Sequence, residues 1–314
     1  MKGEIRMRRF NVTGLCVPSE DYMVDISGKL KKIMELIDSR CYFNINRARQ
    51  YGKTTTLLMI QRTLPKEYIC ARISFQGIGD KSFKTPEAFC KMFLKLVRDS
   101  LQFALVQSEY RNNWVDKEVK NFPALSRHIT KMCSGRKFVL MIDEVDKTIN
   151  NQVFLQFLGM LREKFLQCKE GMDYTFHSVI LAGVNDIKNI KLKMIQEGAH
   201  TPLPEENKIF NAPWDIAVDF EVDMSFNTAE IATMLAQYES DHHTGMDVAS
   251  ISEEIHNYMD GYPYLVSKIC KNIDEKLGKD WTPDGVRNAV TILHDEKNTL
   301  FDDISKNMES NSEL

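Results

Sequence analysis

Large apolar residues recur at three- and four-residue intervals in some stretches of this chain and run together in others, and the two patterns alternate over its first two-thirds. Leu30, Ile33, Met34 and Ile37 predict a short amphipathic helix, with Asp25 or Ser27 as its N-cap. Cys41 to Ile45 is a compact apolar and aromatic run that predicts a strand, and Leu57, Leu58 and Ile60 continue as a helix beyond the intervening loop. Tyr68 to Phe75 predicts a second strand, closed by the glycine-punctuated run Gln76-Gly77-Ile78-Gly79-Asp80. A long helix is expected from Pro86 to about Val106, with Phe89, Met92, Phe93, Leu96 and Val97 on its apolar face. Residues 107–121 are polar and weakly periodic and read as loop with a marginal helix; Leu125 to Cys133 then predicts a helix that stops at Ser134-Gly135.

Phe138 to Ile142 is uninterrupted apolar sequence, as expected of a strand covered on both faces. Val153 to Leu166 returns to helical spacing, and Val179 to Ala182 is a further short buried strand. Alternation of this kind defines an α/β domain with a parallel sheet flanked by helices, placed here at residues 1–215. From about Asp219 the stripes Ile231, Met234, Leu235, Tyr238, then Ile251, Ile255, Tyr258, then Leu265, Ile269, Ile273 follow one another with no strand between them. A smaller all-α domain is therefore expected over residues 216–314, ending in a polar tail from Asp302 to Leu314 that should be mobile.

Composition narrows the setting without defining the function. The chain has 314 residues, 43% hydrophobic and 27% charged, which suits a globular protein with a full core. A net charge of −3 gives no global field for nucleic acid or anionic membrane, so contact with either would need a local patch. The seven cysteines lack Cys-x-x-Cys spacing, which argues for reduced thiols rather than disulfides or zinc. The basic start, Met1 to Phe10, has no apolar segment after it, and no apolar run approaches a membrane span, so a soluble cytoplasmic protein is expected.

The chemistry lies in the loops after two strands. Gly52-Lys53-Thr54 stands between a predicted strand and a predicted helix, where loop amides, a lysine and a hydroxyl can hold phosphates and Mg²⁺, aided by the helix N-terminus. The phosphate-loop pattern starts with glycine five residues earlier; here that residue is Arg47, giving Arg47-Ala48-Arg49-Gln50-Tyr51-Gly52-Lys53-Thr54. A second strand should end in a magnesium-ordering aspartate beside a group that activates water, and Phe138-Val139-Leu140-Met141-Ile142-Asp143-Glu144 has that form. Asp143 is assigned to the metal and Glu144 to the water, while Asp146 reads as a solvated or capping carboxylate. Asn185, beyond the strand at 179–182, is a candidate for contact with the γ-phosphate.

Three other features carry less. Adjacent histidines His242-His243 with Asp241 and Asp247 lack ligand spacing and read as surface loop rather than metal site. Lys188, Lys191 and Lys193 read as a solvated face, and Arg162 as either an arginine finger or a partner of Glu163 or Asp146.

The run from Tyr42 to Leu57, with arginine opening its loop, resembles the AAA-like ATPases of bacteria and archaea in which arginine takes that place. Tyr22-Met23-Val24-Asp25-Ile26 resembles the segment that lies near the nucleotide base in that group, and Phe176 to Gly183 continues the likeness. Gly261-Tyr262-Pro263 is similar to the glycine-x-proline element of the helical lid in the related STAND and archaeal ATPases.

The resemblance implies a P-loop NTPase fold with a helical lid, binding of ATP and Mg²⁺, and contacts to nucleotide from Arg47 through Thr55, Tyr22 and Pro263. Lys53, Glu144 and Asn185 would serve catalysis, and Thr54 and Asp143 the metal. Relatives in that group often continue into a C-terminal domain resembling PD-(D/E)XK nucleases, which is not evident before Leu314. An ATPase module of a longer protein and a shortened member both fit that observation. The function expected is ATP hydrolysis that moves a protein partner or an attached effector domain. Two alternatives are a STAND-like nucleotide-gated switch with negligible turnover and a nucleic-acid-associated accessory module.

Overall fold

The computed structural model describes residues 7–103, 108–148, 151–184 and 214–296. The expected long polar tail, Asn185 and the lysines at 188, 191 and 193 lie outside those residues. Two compact units emerge from the chain's internal packing. One comprises residues 30–48 and 56–222; the other comprises 1–29, 49–55 and 223–314.

The first unit holds a parallel sheet of four strands, β1 (Tyr42–Asn46), β2 (Tyr68–Ser74), β3 (Lys137–Asp143) and β4 (Ser178–Gly183), in the order β1-β4-β3-β2. β1 and β2 are rich in β-branched and aromatic residues but carry Asn44 and Arg72 within them, whereas β3 and β4 run apolar and are buried on both faces. Helices α1 (Ser27–Asp38), α2 (Lys53–Thr63), α3 (Pro86–Ser100), the short α4 (Ser108–Asn112), α5 (Phe122–Cys133) and α6 (Gln152–Lys169) alternate with them. Caps fix several starts: the Thr85 hydroxyl accepts from the Ala88 amide before α3, and the Asn121 carbonyl oxygen from the Ala124 amide before α5. α3 stops at Ser100, short of the expected Val106, and the chain tightens into a 3₁₀ turn, Leu101–Phe103.

The core beside the sheet is aromatic, with Phe75, Phe89, Phe93, Phe154 and Phe157 in edge, tilted and stacked ring contacts. The weakly periodic stretch around residue 114 is anchored by Trp114, which is fully buried against Phe138. Residues 214–222, of which 216 onward are placed by the sequence pattern in the helical domain, lie along β1. Val218 bridges Phe43 in parallel, the Trp214 indole donates to Asn44 Oδ1 at 2.7 Å, and Phe220 stacks on Phe43. The spacing of buried Phe220 and Val222 is the two-residue period of extended chain, which outweighs the helical pattern beginning further on.

Lys164, within α6, is buried and bonds Asp173 Oδ2 at 2.5 Å and the Thr130 hydroxyl at 2.8 Å. Burial pushes the Asp173 carboxyl up, but bonds from Lys164, Thr130 and the Tyr174 amide more than offset this and hold it below its ordinary value. A carboxyl depressed in the folded state contributes stability that is complete above the usual carboxylate range and lost as pH falls through the folded value. Urea midpoints are accordingly expected to fall more steeply for the wild type than for Asp173→Asn as pH drops below about 4.

The second unit is helical: α7 (Thr228–His242), α8 (Val248–Met259), α9 (Pro263–Lys276) and α10 (Pro283–Asp295). A reciprocal capping box between Asn227 and Glu230 starts α7, and the Asp247 carboxylate caps α8. The stripes seen in the sequence face inward with two exceptions: Tyr258 is exposed, with Met259 in the buried place, and Leu265 is half-buried beside buried Val266. Phe10, Tyr22, Tyr238 and Trp281 form the aromatic centre of this unit. No helix among the described residues is long and apolar enough to cross a membrane.

Candidate functional site

The loop of residues 47–52 leaves the carboxyl end of β1 and enters α2 at Lys53. Its curvature depends on two left-handed residues, Gln50 at φ 59° and Gly52 at φ 74°. Alternating handedness of this kind turns successive amides to one side and forms an anion-binding concavity, to which the α2 N-terminus adds its partial positive charge. Glycine at 52 adopts that conformation without penalty, whereas Gln50 adopts it under strain.

At the loop's start the Arg47 amide donates to Gly183 O, and its guanidinium donates to Asn46 O and Val222 O while lying 5.7 Å from the Phe220 ring centre. Arg47 thus braces the base of the loop against the segment beside β1, which a glycine could not do.

Residues 49–55 belong to the helical unit, and its side chains hold them. The Tyr262 hydroxyl donates to Arg49 O, the Tyr51 hydroxyl lies 2.7 Å from Ser225 Oγ, and the two tyrosine rings meet edge to face at 4.6 Å. Thr55 Oγ1 accepts from the Cys16 amide at 3.4 Å. Pro263 is the first residue of α9 and is buried, immediately after Tyr262. The glycine-x-proline element therefore reaches the phosphate loop through its central tyrosine. Tyr22 is buried in the aromatic centre of the unit, with its hydroxyl bonded to Asp241 Oδ2 at 3.0 Å.

The carboxylate pair closes β3. Asp143 is buried, and its Oδ1 accepts the Glu144 amide at 3.0 Å. Glu144 has φ 57°, a left-handed conformation uncommon for a side chain of its size, and it turns the chain sharply after the strand. Strand β4 separates β1 from β3, so the carboxyl ends of β1 and β3 stand two strand spacings apart, about 10 Å. In parallel α/β sheets, ligands bind at these carboxyl ends.

Asp146 differs from its expected role as a solvated or capping group. Both its carboxylate oxygens accept the Val184 amide at 2.8 Å, tying the turn after β3 to the end of β4. A Cβ on Gly183 would come within 2.9 Å of Asp146 Oδ1, so the clamp requires glycine there. The sequence signal for this was present in Asp146 itself, one turn beyond the carboxylate pair, but its partner is a backbone amide that no side-chain pattern reveals.

Arg162 pairs bidentately with Asp215, at 2.6 and 3.0 Å, rather than with Glu163 or Asp146. Asp241 binds Arg8 and Tyr22, His242 stacks on Tyr238, and His243 caps α7, so each member of that polar run has a structural task. Asn185 lies just past the described end of β4, and its placement is outside the described residues.

Asp143 offers carboxylate oxygens and Thr54 a hydroxyl, each the kind of oxygen ligand that Mg²⁺ takes.

The family comparison agrees with this geometry. The model of the AAA-like domain family matches residues 17–280, and the chain belongs to that family. No curated protein matches it. Among solved structures, it is similar to a Walker-type ATPase of Pyrococcus abyssi, with a TM-score of 0.60 and 11% identity over 96% of this chain and 79% of that one. It is also similar to the ADP form of the Aeropyrum pernix ORC2 protein, with a TM-score of 0.51 and 14% identity over 90% of this chain and 71% of that one. The fold is thus that of a P-loop NTPase: a parallel α/β sheet followed by a helical region.

Proposed function

We propose that the chain binds ATP with Mg²⁺ and hydrolyses it to move a protein partner or an attached effector domain. The observation that carries this reading is the loop between β1 and α2, where left-handed Gln50 and Gly52 shape a phosphate cradle ahead of Lys53. Membership of the AAA-like family and the ADP named for the similar ORC2 protein support the same ligand.

In this reading the loop amides of residues 48–54 and the Lys53 ammonium hold the β- and γ-phosphates. Thr54 and Asp143 would hold Mg²⁺, which supplies charge neutralisation on the phosphates when bound. Glu144 orients and polarises the attacking water, and Asn185 contacts the γ-phosphate. The two-oxygen hold of Asp146 on Val184 ties the end of β4 to the turn that carries Glu144.

Lys53→Ala tests the binding half directly. A charged hydrogen-bond partner is worth about 1.5–3 kcal/mol, so calorimetric affinity for ATP with magnesium is expected to fall on the order of ten- to a hundredfold. Unchanged affinity would remove the central claim.

A second reading is a nucleotide-gated switch with negligible turnover. It is favoured by Tyr51 and Tyr262, which tie the loop to the helical elements of its own unit and give loop occupancy a route to them.

A further inference from the structure

A cavity of about 480 Å³ opens at the amino-terminal edge of the sheet, within the first unit. Lys137, at its wall, begins β3, while Asp143 ends the same strand. Seven residues of strand separate the cavity from the phosphate-loop edge by roughly 20 Å.

Its charge is one-sided. Arg40 follows α1, Arg136 follows α5 and Lys169 ends α6; with Lys137 they place two arginines and two lysines on one cavity. Asp173, the carboxylate among the lining residues, is already bonded to Lys164 and Thr130. Lys137 also bonds the exposed Glu67 at the rim, and Arg136 lies over the Tyr110 ring.

Cations at helix C-termini offset the partial negative charge of those ends, which accounts for Arg40, Arg136 and Lys169 singly, and Lys137 has its pair in Glu67. Neither accounts for their convergence on a cavity of nucleotide-sized volume with an aromatic wall. Phe165 and Phe176 form that wall, and Tyr174 stands exposed beside it. His177 also lines the cavity: it is only 8% exposed, and its Nε2 is buried with no hydrogen-bond partner among the described residues. Burial first, then the charges of Arg40 and Lys137, hold its imidazole below the ordinary histidine value, against the opposing pull of the Ile37 backbone and Asp38.

We infer that this cavity is a second binding site, taking a small phosphorylated molecule of nucleotide size whose phosphate meets Arg40, Arg136 and Lys137 and whose planar ring lies on the aromatic wall. Paired guanidinium groups suit a phosphate dianion, and the volume lies within the range of small-molecule pockets.

The test uses the full chain carrying Lys53→Ala, so that the phosphate loop contributes little. Adenosine 5′-monophosphate, inorganic phosphate and a short single-stranded oligonucleotide are titrated separately, with His177 followed by imidazole NMR. The monophosphate is expected to bind at least tenfold more tightly than phosphate and to raise the His177 pKa. Affinity should fall at least tenfold in Arg40→Ala/Arg136→Ala, and several-fold in Lys169→Glu, at an exposed helix end where folding is least at risk. Equal binding of phosphate, preference for the oligonucleotide, no binding, or affinity unchanged in both variants would each overturn the inference.

Discussion

Glu144→Gln is expected to cut steady-state phosphate release by about 10²–10⁴-fold, the range of a general base, while leaving ATP affinity near the wild-type value. The substitution keeps the volume of the side chain and removes its charge. It also leaves intact the bond between the Glu144 amide and Asp143 Oδ1, which is made by backbone on the donor side. The turn at φ 57° tolerates glutamine as well as glutamate, so the variant should fold. Comparing single-turnover phosphate release with equilibrium binding on the same protein separates chemistry from affinity. Turnover at the wild-type rate in the variant sinks the role given to Glu144. Tight ATP binding with no release even in the wild type selects the switch instead.

Gly261→Ala is the second large effect, and it falls on stability. Gly261 has φ 66°, and a Cβ there would lie 2.0 Å from Phe226 O and 2.7 Å from Phe226 N, both backbone atoms. Phe226 donates its amide to Gly261 O at 2.8 Å, so the two segments cannot separate without losing a bond. Left-handed backbone costs a side-chain-bearing residue about 1–2 kcal/mol and overpacking about 1–3 kcal/mol, giving a loss of about 2–5 kcal/mol in urea unfolding. Gly278→Ala is the control, because Gly278 has φ 59° and a Cβ there would meet no atom within 4 Å. It should lose only the conformational part. Equal losses in the two variants would show that the Phe226 contact yields, contrary to the expectation.

Much of this architecture was legible because β3 and β4 are short, apolar and covered on both faces. Phe138 to Ile142 and Val179 to Ala182 could be found within a residue or two of their observed ends. The loop and the carboxylate pair were legible for a related reason: each follows such a strand, and strand ends are where polar residues become conspicuous. What the sequence hid depends on partners distant along the chain. Val218 pairs with β1 across more than 170 residues, Asp146 reaches a backbone amide, and the Arg47 guanidinium donates to the carbonyl of Val222. Tyr51 and Tyr262 are individually ordinary aromatic residues, and only the fold brings their rings together. The basic cavity is assembled from the ends of four separate elements, so no local run of charge announces it.

The division of the chain between Ala48 and Arg49 has a practical consequence for anyone cutting it. A fragment stopping at Val222 would retain β1, α2 and the carboxylate pair, yet it would lack Ser225 and Tyr262. Its loop would begin on the Arg47 brace and then continue with the Arg49 carbonyl and the Tyr51 hydroxyl returned to water. The smallest piece that keeps the cradle's shape therefore runs past Pro263, and assays on a shorter one would report on a loop that the whole chain does not present.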